Sequence, residues 1–107
     1  NYCLDERPSD GAQDVLAARL VGPNGLSLEV WTDQPGLQVY TGNFIGSPEH
    51  PKTWWHGKGA QWEKFGAVCL ETQLWPDGIH HSHFPSPILR PGETYRHSAR
   101  HVFSVQV

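Results

Sequence analysis

The sequence predicts an all-β fold, an antiparallel β-sandwich, on three observations. Eleven glycines and nine prolines in 107 residues gather in short clusters that read as turns. Between the clusters, apolar and polar residues alternate with the period of two that belongs to a strand. A helical period fits only one short segment, 12–20, where Val15, Leu16 and Leu20 would also lie along a helical turn.

Taken in chain order, the turns are expected at 22–25 (GPNG), 34–36 (QPG), 75–78 (WPDG) and 90–92 (RPG). After the first, Leu26, Leu28 and Val30 share one face, with Ser27, Glu29 and Trp31 on the other. After the second, Gln38 and Tyr40 share the face opposite Leu37 and Val39. Segment 46–61, with Pro48, Pro51, Gly57 and Gly59, reads as a long loop. Segment 67–73 is apolar on both faces at its start, the pattern of a strand buried on both sides. Segment 85–95 reads as an edge segment, a turn and the start of a last strand. In that strand Tyr95, His97, Ala99, His101, Phe103, Val105 and Val107 fall on one side and Arg96, Ser98, Arg100, Ser104 and Gln106 on the other. A half-buried antiparallel strand is expected there. No internal repeat is visible.

A chain of this length holds one domain at most and buries about 65% of the surface its unfolded form exposes. The net charge of −3 and the lack of any basic run give no electrostatic case for nucleic acid or an anionic membrane. No apolar stretch approaches the roughly 20 residues of a transmembrane helix. Cys3 and Cys69 match no metal-ligand spacing; two free thiols in a reducing, cytoplasmic setting are the favoured reading and a disulfide the alternative. The chain contains no methionine, so it is expected to be a piece of something longer.

Glu71 is the residue that asks for an explanation. It closes the apolar run of 67–73, where burial would disfavour a charged carboxylate and suit it to general-base work beside a complementary acid. Pairing with an arginine, or simple exposure, is the plainer alternative. Gln38 carries both a donor and an acceptor, which suits a sugar hydroxyl as well as it suits an ordinary strand face. Trp31, Trp54, Trp55, Trp62 and Trp75 offer flat apolar surfaces for a pyranose, though such residues more often pack a core. His80, His81 and His83 resemble a metal site, yet they sit in a loop between Pro76 and Pro85 with no carboxylate at a convincing spacing. A polar loop with incidental histidines is favoured, and no metal is expected.

Four runs in this order, NYCL at 1–4, QPGLQVYTGN at 34–43, CLETQ at 69–73 followed by Trp75, Pro76 and Asp77, and LRPGETY at 89–95, closely resemble the C-terminal part of the aldose 1-epimerases (galactose mutarotases). The resemblance spans nearly the whole chain. It implies a large twisted β-sandwich enzyme that interconverts the α and β anomers of a free aldohexose without a cofactor. By it, Glu71 is the catalytic base and Gln38 a ligand of substrate hydroxyls. The family's acid, a histidine, comes from the N-terminal part, as do a further histidine and an arginine, and none is matched by the seven histidines here. The expectation is therefore a C-terminal segment with the base and without the acid, inactive alone. Its apolar strand edges are expected to associate with the N-terminal part or with themselves. A non-catalytic sugar-binding module of the same fold is the second reading, and a cupin-like metal protein using His80, His81 and His83 the third. The loop 45–62, with Trp54, Trp55 and His56, is longer than the resemblance predicts, and proximity to the sugar would let it alter specificity.

Overall fold

A computed structural model describes residues 1–4, 13–46, 56–57 and 60–105. The described chain is all-β: β1 (Tyr2–Cys3), β2 (Val15–Val21), β3 (Leu26–Thr32), β4 (Gly36–Tyr40), β5 (His56–Gly57), β6 (Ala60–Gln61), β7 (Cys69–Gln73) and β8 (Ala99–Val105). A single 3-10 turn, Gly78–His80, is the only helical element among the described residues. Two three-stranded sheets, ordered β1-β4-β7 and β2-β3-β8, form the β-sandwich architecture, and β5 pairs with β6 in a small hairpin. Two compact units make up the chain: Asn1–Gln38 with Glu71–Val107, and Val39–Leu70.

In the first unit β3 is the central strand of its sheet, antiparallel to both neighbours. The turn at 22–25 forms as expected: Gly25 N–H donates to the Gly22 carbonyl at 3.0 Å, and Gly25 adopts φ +80°, a conformation that glycine takes without strain. The described part of segment 12–20 is strand from Val15 onward, and a bulge explains its mixed signal. The register with β3 shifts between Leu16 and Ala18, so the alternation of Val15, Leu16 and Leu20 breaks phase where two residues face one. The register places Leu20, Leu28 and Phe103 in one row and Ala18, Val30 and His101 in the next, on a shared face. Val30 and Thr32 are fully buried there.

The far end of that face is open. Leu26 is 47%, Phe103 67% and Val105 63% exposed, so the expectation of a half-buried last strand is corrected: in β8 only Val102 is half-buried. β8 is the outer strand, and no described residue covers Phe103 and Val105. The strand also begins at Ala99, after a turn in which Glu93 N–H reaches the Arg90 carbonyl, so Tyr95 and His97 precede it. β7 departs from expectation for the same reason. As the outer strand of its own sheet it is half-buried at Cys69 and Leu70 instead of covered on both sides.

In the second unit the expected long loop contains β5 and β6, paired His56 to Gln61 and Gly57 to Ala60. Trp54 and Trp55 lie outside the described residues. The segment before β7 turns at Phe65, whose N–H donates to the Gly42 carbonyl at 3.2 Å. Cys3 and Cys69 are free thiols.

Candidate functional site

The candidate site is the polar face of β1-β4-β7. Its scaffold begins at Thr32, whose hydroxyl donates to the Ser98 carbonyl at 2.7 Å and accepts the buried Gln34 N–H at 3.1 Å. That fixes the turn leading into β4. The next carbonyl, Pro35, accepts two donors, Leu4 N–H at 2.9 Å and the Trp75 indole N–H at 2.8 Å. One oxygen thus ties the end of β1 and the exit of β7 to the start of β4.

The strand register follows from the contacts at either end. Gly36 stands against the Gln73 carbonyl, and Gly42 against the Ala67 carbonyl, so β4 and β7 run in opposite directions. Counted two residues in from the first contact along antiparallel strands, Gln38 on β4 comes opposite Glu71 on β7. Residues so placed point to the same face, with Cβ atoms about 4.5–5.5 Å apart. On the other side β1 pairs Tyr2 with Leu37 and Cys3 with Gly36, which puts Asn1 beside Gln38. Leu37, on the opposite face, is buried.

The two residues singled out in the sequence therefore lie on neighbouring strands. Gln38 is half-buried. Glu71 is exposed, which corrects the expectation that strand burial desolvates it: β7 is an outer strand, and no described residue shields the carboxylate. An amide carrying donor and acceptor beside an open carboxylate can hold a hydroxyl and remove its proton.

The sequence reading missed two features. Gln73 Nε2 donates to Asn1 Oδ1 at 3.0 Å on this same face, a contact that only the fold reveals. The histidine loop does have a carboxylate: Asp77, in the left-handed region at φ +62°, curls so that Oδ1 meets His80 Nδ1 and Oδ2 lies 3.3 Å from His81 Nε2. His81 lies tilted against Phe84 at 4.8 Å, His83 meets Phe84 edge-on at 4.6 Å, and Phe84 is edge-on to Trp75 at 5.0 Å. No group of three or more histidine, cysteine or acidic side chains among the described residues could hold a metal ion. A separate cavity of about 440 Å³ is lined by Gln34, Trp75, Tyr95 and Arg96 among others, but not by Gln38 or Glu71.

The sequence profile of the aldose 1-epimerases matches residues 1–101. The chain belongs to the aldose 1-epimerase family. It is 48% identical over 105 residues to galactose mutarotase of Sus scrofa and 46% identical over 106 residues to that of Homo sapiens, in each case over 98% of this chain. It is 39% identical over 72 residues, 65% of the chain, to aldose 1-epimerase of Escherichia coli (strain K12). The chain spans 28% of the length of the two mammalian relatives and 19% of the bacterial one. No helix among the described residues is long and apolar enough to cross a membrane.

Proposed function

We propose that this chain is the base-bearing part of a cytoplasmic aldose 1-epimerase, with Glu71 as the catalytic base and Gln38 as a ligand of the sugar. The observation that carries the reading is that Gln38 and Glu71 lie on neighbouring strands, β4 and β7, in a member of this family. The substrate is a free aldohexose such as glucose or galactose, and no cofactor enters the reaction. The Glu71 carboxylate takes the proton from the anomeric hydroxyl while an acid protonates the ring oxygen, and the C1–O5 bond opens. Rotation about C1–C2 and the reverse proton transfers close the ring on the other face. Gln38 holds a hydroxyl so that the anomeric oxygen meets Glu71 at hydrogen-bond distance. Each positioned acid or base contributes on the order of 10² to 10⁴-fold.

The acid is supplied by residues outside this chain, in keeping with the 28% of a relative's length that it spans. Polarimetry on fresh α-glucose and α-galactose tests this. The chain alone is expected to leave the spontaneous rate unchanged. A chimera in which it replaces the matching segment of the Sus scrofa enzyme is expected to accelerate mutarotation. Rapid mutarotation by the chain itself would overturn the account of the acid. Sugar binding by the chimera without any acceleration would favour a non-catalytic sugar-binding module.

A further inference from the structure

We propose that Asn1 and Gln73 form a positioning bridge for the Gln38–Glu71 pair, in a lane kept open by the missing side chain of Gly36; the proposal rests on the catalytic reading above. Two rows of residues cross the polar face. One row is Asn1, Gln38 and Glu71; the next is Cys3, Gly36 and Gln73. The Asn1–Gln73 hydrogen bond runs diagonally between them, from β1 to β7, over the strand that separates them. Two strand spacings are roughly 9–10 Å, so both side chains must extend across β4 to meet.

Gly36 is what lets them. It is not among the described glycines with positive φ, so backbone conformation does not call for glycine there. Space does. A Cβ at this position would stand 3.0 Å from Asn1 Oδ1, 3.1 Å from the Gln73 carbonyl oxygen and 3.1 Å from Trp75 Cδ1. The carbonyl belongs to a strand and has little room to yield.

The bridge bears on the site through the residues it joins. Asn1 lies beside Gln38, and Gln73 is two residues from Glu71 on the same face. Linking the outer strands at this level fixes the lateral spacing of β4 and β7 and limits the twist by which the Glu71 carboxylate could swing from Gln38. Displacement of a reacting group by about 1 Å costs up to roughly 100-fold in rate. Asn1 and Gln73 are thus positioning residues, and they touch no reacting atom.

The test uses the Sus scrofa chimera, with kcat and KM from polarimetry and a melting curve for each variant. Gln73→Leu, Asn1→Leu and Gly36→Ala are each expected to lower kcat roughly ten-fold with KM changed less than about two-fold. Asn1→Asp keeps the acceptor and is expected to recover most of the rate lost in Asn1→Leu. The double variant Asn1→Leu/Gln73→Leu is expected to be no slower than either single one, because both remove the same contact. An unchanged kcat in Gln73→Leu, while Glu71→Gln is inactive, overturns the bridge and leaves the base assignment standing. A loss confined to KM overturns it too, since Gln73 would then bind sugar directly. So does a loss that vanishes on cooling together with a lowered melting point, which marks a merely structural staple. A fully active Glu71→Gln sinks the catalytic reading instead.

Discussion

Thr32→Val probes how the site scaffold is held together. The two side chains have nearly the same shape, so packing at this fully buried position is preserved. What changes is the hydroxyl. The Ser98 carbonyl loses the Thr32 donor but keeps Asp33 N–H at 3.3 Å, so it stays satisfied. Gln34 N–H loses its acceptor at 3.1 Å and is left buried. An orphaned buried donor costs about 1–3 kcal/mol. For a chain of this size each kcal/mol moves the melting point by roughly 4–8 °C, so a fall of about 5–20 °C is expected. Thr32→Ser keeps the oxygen and gives up one methyl, worth about 0.8 kcal/mol of burial. The hydrogen-bond argument therefore ranks Thr32→Ser above Thr32→Val, although valine is the better filler. Thermal melts followed by circular dichroism on the three proteins decide the matter. A Thr32→Val melting point equal to or above that of Thr32→Ser would refute the reasoning.

Three further outcomes follow from the fold. Val30→Ala deletes two fully buried methyl groups at the centre of β3 and is expected to cost roughly 2 kcal/mol in a urea titration. Gly25→Ala forces a Cβ into the left-handed region at the β2–β3 turn and is expected to cost about 1–2 kcal/mol by the same titration. Phe103→Ser, on the open face of β2-β3-β8, is expected to leave secondary structure unchanged and to reduce self-association of the chain in sedimentation velocity, because it removes the side chain most exposed there.

The all-β fold was legible in the sequence because turns and alternation are local. The glycine at the 22–25 turn and the period of two at Leu26, Leu28 and Val30 each need only their neighbours. The bulge at Leu16 and Ala18 obscured β2, since one extra residue reverses the phase of everything after it. The exposure of Phe103 and Val105 was not legible at all, and that of Glu71 only as one of two open alternatives. Alternation shows which residues share a face, and the sheet order decides whether anything covers it. The candidate site followed the same division. Gln38 and Glu71 were singled out by residue type and by resemblance, but their adjacency depends on β4 lying next to β7, a pairing between distant parts of the chain. Asn1 and Gln73 belong to the same class, joined across β4 with nothing local to announce it. Asp77 as the partner of His80 and His81 was missed for another reason. Spacing along an extended chain separates them, whereas the left-handed turn at Asp77 brings both imidazoles back onto one carboxylate.

The central claim is that Glu71 removes the anomeric proton, and the most direct measurement is the mutarotation rate of the Sus scrofa chimera carrying Glu71→Gln. Glutamine keeps the size and the hydrogen-bonding reach of the side chain but cannot take the proton. The account predicts a fall in kcat of about 10² to 10⁴-fold with sugar binding retained. A chimera that turns over fresh α-galactose as fast with glutamine as with glutamate would contradict it.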